Sequence, residues 1–271
     1  MNLAILFWFY KDIDVCVNRL QFLKRQNPDA KIYGLYGWPK EDVNIFQDRL
    51  QMYLDDFYMA PMEESFWKWI NWDLVLLDWF EKRGKNLERD SVFIAQWDLL
   101  IFSSLEELFA WIKKDEIYFP YYESIDNKIE SEWYWTSERK YSEKPETHPK
   151  KPYMRKSYLA FKELVAKKYG YNNLLPRSIF MLAILPRVFF EKYSSLPDKE
   201  VGFLEYKLPT YAKIFGLSLF PKDLWESVLS QDVSEWPMNA KPMEIEDSYI
   251  QKELEKKDGW RVFHPYFKVY W

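Results

Sequence analysis

The sequence predicts an α/β protein with a mostly parallel central sheet flanked by helices. Three observations lead there. Short, almost wholly apolar runs of strand length recur through the first hundred residues. Segments with helical apolar spacing separate them. A chain of 271 residues with 48% apolar content is also long enough to bury both faces of such a sheet. Strands separated by helices need crossover connections, which pair strands in parallel and place helices over the sheet.

The elements follow in order. Residues 3–10 form a buried strand, and 13–25 a helix with apolar positions at Val15, Val17, Leu20, Phe22 and Leu23 that closes at Asn27-Pro28. Residues 31–36 (KIYGLY) are a second strand ended by Gly37-Trp38-Pro39. A helix over 41–54 and a short strand over 56–60 come next. Residues 64–83 are expected to be one long helix, with Gly84 as its terminator. Residues 91–95 (SVFIA) are another buried strand, and Gln96-Trp97-Asp98 stands at its end. Ligands of such sheets bind beyond the carboxyl ends of the strands. Chemistry is therefore expected after Tyr10, Tyr36 and Ala95.

The second half is less regular. Residues 126–153 are charged yet carry Trp133, Tyr134 and Trp135, and are expected to form a long surface loop. Helices are expected over 158–169, 186–193 and, despite Pro209, over 200–215. An apolar run covers 178–185 and a polar link 225–236. The segment 260–271 (WRVFHPYFKVYW) is strand-like and broken by Pro265.

Composition narrows the function. The net charge of −4 supplies no basic face for nucleic acid. Cys16, the only cysteine, leaves no intrachain disulfide or cysteine-based zinc site. The apolar run at 3–10 is too short for a membrane span and lacks the basic start of a signal peptide, so a cytoplasmic location is expected. Aromatic residues make up 20% of the chain, and their flat faces suit both a core and a sugar-binding cleft. Neither GxxxxGK[ST] nor GxGxxG occurs among the 7 glycines, so phosphate binding would fall to a metal ion.

Four groups of residues are candidates for chemistry. Asp98 is either a cation ligand or the N-cap of a helical turn. His264 is either a ligand or a packed, hydrogen-bonded histidine; His148, the other histidine, lies in the charged segment. Glu200 or Glu205 is either a general base or surface charge. Lys68 and Asp73 interrupt an apolar helix, and Asp73 shares a stripe with Trp69.

Their order along the chain resembles that of the GT-A glycosyltransferases, which transfer sugar from a nucleoside-diphosphate donor. Gln96-Trp97-Asp98 is similar to the DXD motif of that family, with Gln96 in the first acidic position. The resemblance implies a single GT-A-like domain with a Rossmann-like N-terminal half. Residues 1–125 would bind the nucleotide sugar, 126–157 would be a surface loop, and 158–271 would serve the acceptor. It also implies Mn2+ or Mg2+ held by Asp98 and His264, with Trp97 in the same motif and Lys268 adding positive charge. Phe9 and Tyr10 would meet the nucleobase, with Lys68 and Asp73 in the same pocket. Glu205, in GFLEYKLPTYAKIFG, would be the base of an inverting transfer, with Glu200 the alternative. The expected partners are a UDP- or GDP-sugar and a glycan or lipid-linked acceptor. The aromatic tail and loop allow peripheral membrane contact or a homodimer. A nucleotidyltransferase, a non-catalytic carbohydrate- or nucleotide-binding relative and an aromatic-rich interaction module are the competing readings.

Overall fold

The computed structural model describes residues 3–37, 39–61, 65–137, 151–222, 224, 238 and 244–271. Its centre is a five-stranded sheet made of β1 (Leu3–Phe9), β2 (Lys31–Tyr36), β3 (Asp56–Met59), β4 (Ser91–Gln96) and β9 (Leu182–Pro186), in the order β3-β2-β1-β4-β9; the short strands β6 (Glu116–Ile117) with β10 (Ser218–Leu219), and β7 (Glu123–Ser124) with β8 (Pro176–Arg177), pair outside it. The first four are mutually parallel and β9 runs antiparallel to β4. This is the mostly parallel α/β sheet that the sequence predicts.

The strands are apolar on both sides because both faces are covered. Along β1 the side chains alternate between two cores. Leu6 and Trp8 enter one core, while Leu3, Ile5, Phe7 and Phe9 enter the other. In the same way β4 sends Val92 and Ile94 to the first face and Phe93 and Ala95 to the second. The second face is covered by α1 (Ile13–Gln26), α2 (Val43–Leu50) and α5 (Leu105–Phe109), through residues such as Leu20, Phe46 and Phe109. The first face carries α4 (Trp72–Lys82), α7 (Lys151–Tyr169), α8 (Arg187–Ser194) and α9 (Leu204–Ile214), through Trp79, Phe161, Phe189 and Tyr206.

Four expectations about elements need correction. The helix expected over 64–83 is two helices, α3 (Ser65–Ile70) and α4, divided at Asn71. Asn71 N–H closes the last turn of α3 on Trp67 O at 2.9 Å and its side-chain amide adds a bond to the same carbonyl at 3.1 Å, but the Asn71 backbone, at φ −113° and ψ 34°, leaves the helical region. The surface loop expected over 126–153 begins instead with α6 (Asn127–Glu132). Its cap is Asp126, whose carboxylate accepts from Ile129 N–H at 2.8 Å. Ile129, Trp133 and Trp135 pack against the first core, which ties this segment to the body. The remainder of the expected loop, 138–150, with His148, and the polar link expected over 225–236 lie outside the described residues. Finally, α7 starts at Lys151 rather than 158, and α9 starts at Leu204 rather than 200 because Gly202, at φ +100°, breaks the helical backbone before it.

A third, smaller core joins the chain's end to its middle. β5 (Leu100–Ile101) pairs antiparallel with β11 (Val262–Phe263), and Leu100 and Phe263 pack with Ile250 of α10 (Asp247–Glu255) and with Tyr266. Among the described residues no helix is long and apolar enough to cross a membrane.

Candidate active site at the carboxyl edge of the sheet

The register of β5 and β11 builds the site. Phe263 pairs with Leu100, so the next residue, His264, arrives beside the turn that follows β4. Tyr266 N–H then donates to Asp98 O at 2.9 Å, drawing the C-terminal segment across the end of the strand. His264 Nε2 stands 3.5 Å from Asp98 Oδ1, and both residues are buried, at 7% and 5% exposure. The turn at Asp98 leads into β5, so Asp98 does not cap a helix.

Asp98 Oδ1 accepts no hydrogen bond from any described residue. A buried carboxylate oxygen in that state is costly unless a positive group meets it. Hard divalent cations prefer such oxygens. Two donors on adjacent corners of an octahedral shell with bonds of about 2.1 Å stand about 3 Å apart. The pair therefore fits as part of a ligand set for Mn2+ or Mg2+. Among the described residues no group of three His, Cys, Asp or Glu side chains is placed to hold a metal, so the other ligands would be substrate phosphates and water.

The remaining expected residues divide. Tyr10 is half-buried beside the site, edge-on to Trp97 at 5.9 Å between ring centroids, and burial raises its phenol pKa. Lys68 reaches the end of β2, where its ammonium donates to Gly37 O, and burial lowers its pKa to about 8. Gly37 is closely packed there: a Cβ would stand 3.3 Å from Tyr10 Cβ and 3.2 Å from Trp72, tighter than most such contacts.

Phe9 and Asp73 are corrections, while Trp97 and Lys268 have protein partners of their own. Phe9 has 0% exposure and packs with Phe46 and Phe57 in the second core, because it shares the parity of Phe7 on β1. Trp97 also has 0% exposure and stacks on Phe267 beneath the site. Asp73 is sealed in the first core, 2.8 Å from Lys207 Nζ with both side chains at 0% exposure, and it accepts from Tyr193 Oη. Lys268 is half exposed and pairs with Asp247 at 3.0 Å.

Glu205 belongs to the same edge. The start of β9 lies beside the end of β4, where Gln96 N–H donates to Met181 O at 3.1 Å. The residues just before it are docked on α9. Pro209 has no N–H for the carbonyl four residues back, and Glu205 O accepts instead from Ser178 N–H at 2.8 Å. Glu205 Oε1 also accepts from Phe180 N–H at 3.4 Å. Burial pushes its carboxyl up from 4.5 to about 7, against the opposing influences of Phe180 N–H, Arg177 and Trp135. Arg177, beside it, bonds Glu123 and lies 4.9 Å from the centroid of Trp133. Glu200 is exposed in the turn before α9.

Two residues of the site escaped the sequence reading. Lys11, directly after β1, holds its ammonium 4.8 Å from the Trp97 ring centroid, half exposed at the same edge. Its signal was its place one residue beyond a strand end named as a site. Arg19 has 1% exposure, and burial lowers its pKa to about 10. Its signal was a charged residue on the same helix face as Val15, Phe22 and Leu23.

No family model matches the chain, and no curated protein does. Among solved structures it is similar to a cytidylyltransferase from Leptospira borgpetersenii, at 12% identity and a TM-score of 0.41 over 82% of this chain and 76% of that one. It is likewise similar to the galactosyltransferase LgtC in complex with donor and acceptor sugar analogues, at 10% identity and 0.43 over 82% and 74%. A third similar structure is the glycosyltransferase GlyE of Streptococcus pneumoniae, at 14% identity and 0.39 over 82% of this chain and 45% of that one.

Proposed function

We propose that the chain is a glycosyltransferase that takes a sugar from a nucleoside-diphosphate donor, UDP- or GDP-linked, and passes it to a hydroxyl of a glycan or lipid-linked acceptor. One observation carries this reading: Asp98 and His264, from opposite halves of the sequence, meet in a buried pair at the carboxyl edge of a parallel sheet. That edge is where such sheets bind nucleotides.

Asp98 and His264 would hold Mn2+ or Mg2+ against the donor's diphosphate. When bound, the cation would offset the charge that gathers on the departing nucleoside diphosphate. Lys11 adds a positive charge at the same edge, and Tyr10 offers a half-buried ring to the nucleotide. Glu205 would take the proton of the acceptor hydroxyl in an inverting displacement. A carboxylate whose pKa lies near 7 is a stronger base than an ordinary one and is still largely ionised at slightly alkaline pH. Trp133 and Trp135, packed beside Arg177 and Phe203, would shield that proton transfer from water.

Thermal melting with UDP-, GDP- and CDP-sugars, with and without Mn2+, tests the reading. A ligand of the native state raises the melting temperature. At least one donor should do so only with Mn2+, and Asp98→Ala and His264→Ala should each abolish the metal-dependent part. A full shift in both variants, or none with any donor in the unaltered protein, overturns it.

A further inference from the structure

Asp98 and His264 reach each other by unequal routes. Asp98 follows β4, a strand paired on both sides within the central sheet. His264 lies on a terminal segment with a short ladder, Val262 and Phe263 against β5, a single bridge from His264 to Met238, and one bond from Ile245 N–H to Pro265 O at 3.3 Å. Beyond these, and beyond the bonds of Tyr266 and Phe267 to Asp98, Asp247 and Glu244, helix α1 grips the segment from the other side. Arg19 Nη2 donates to Tyr266 O and to Lys268 O, each at 2.8 Å. Asn18 exchanges two bonds with the backbone of Tyr270: its amide donates to Tyr270 O at 3.0 Å, and its oxygen accepts from Tyr270 N–H at 3.1 Å. Arg19 Nη1 also donates to Asn18 Oδ1, so the two side chains form one clamp. The guanidinium lies 5.2 Å from the Tyr266 ring centroid, and the carboxylates that act on it, Asp98 and Glu244, do so without a close ion pair among the described residues. Burying a full charge against carbonyls is expensive. The forked geometry that grips two carbonyls is what an arginine supplies there.

We propose that Arg19, with Asn18, is a positioning residue that docks the C-terminal segment so that His264 stands beside Asp98 and completes the protein's share of a cation site. This rests on the cation reading of that pair. Electrostatics alone gives the opposite sign for one variant. The Arg19 charge repels a cation at Asp98, so removing it should tighten binding if charge were its whole contribution. If the clamp matters, removing it weakens binding, and groups that orient metal ligands contribute roughly ten- to hundred-fold in affinity.

Mn2+ binding in the presence of UDP, read by the paramagnetic signal of free Mn2+, should be measured for the unaltered protein, Arg19→Met, Arg19→Lys and Asn18→Ala. Each variant is then repeated with His264→Ala. Both Arg19 variants should weaken binding by roughly tenfold or more, and none should weaken the His264→Ala protein further. Tighter binding in Arg19→Met, or an equal loss without His264, overturns the proposal. A second readout needs no cation. The chain holds only His148 and His264, so the imidazole resonance lost in His264→Ala assigns His264. In cation-free Arg19→Lys that resonance should move towards the position of an exposed histidine. An unmoved resonance in every clamp variant contradicts the positioning role. A moved resonance in a protein that never binds Mn2+ with UDP would uphold the clamp and sink the cation reading.

Discussion

At Glu205 burial outweighs the groups that favour its ionised form. Its folded carboxyl titrates near 7, above its ordinary 4.5. Between those values the native state binds more protons than the unfolded chain. Its contribution to stability is therefore complete below pH 4.5 and falls as pH rises through 7. As a base, however, Glu205 works only when ionised. Transfer should rise with pH through about 7, and Glu205→Gln should remove that limb and lower kcat by roughly 10²–10⁴-fold. Initial rates from pH 5.5 to 9 check this; an unchanged profile in the variant contradicts the role. That Asp98, His264 and Glu205 come to the carboxyl edge of the sheet was legible in the sequence because each stands at the boundary of a strongly patterned element. Asp73 was misassigned for the opposite reason. A charge inside an apolar helix looks the same whether it faces a cleft or a buried partner, and Lys207 lies far from it in the chain.

Among the elements, the Asp73–Lys207–Tyr193 cluster joins α4, α9 and α8 inside the first core. Lys207 Nζ also donates to Lys199 O at 2.8 Å, which ties in the turn before α9. The cluster thus fixes the helix that carries Glu205. Breaking it from one side leaves a buried charge without its counter-ion, which costs about 3–5 kcal/mol, whereas replacing both partners with apolar groups is often close to neutral. Asp73→Leu and Lys207→Met should each lower stability in urea by that amount. The double variant should lose less than either, and additive losses would contradict the account. Strands β1, β2, β3 and β4 were readable because short apolar runs have few alternatives. The break at Asn71 was not, because it lies in the backbone angles of a single residue, which leave no mark on periodicity. The same holds for α6, whose stability depends on Trp133 and Trp135 reaching a core built by distant residues.

Over the whole molecule, two apolar cores hold the sheet from either face, while the proposed cation pair occupies one edge. Folding should therefore not depend on metal, unlike small domains whose core is the ion. EDTA should leave the melting temperature of the ligand-free protein unchanged and remove only the increment from nucleotide sugar; unfolding by chelator would contradict this. The sequence disclosed the layers and the edge at which to look. It could not disclose that the last residues return across α1, because the clamp of Asn18 and Arg19 on Tyr266, Lys268 and Tyr270 uses backbone carbonyls that leave no mark on composition.

The most direct measurement is a crystal structure with UDP and Mn2+, its metal located by anomalous scattering. The account predicts an anomalous peak about 2 Å from both Asp98 Oδ1 and His264 Nε2, with the diphosphate on its open side. A nucleotide bound elsewhere, or a manganese peak that touches neither side chain, would contradict it.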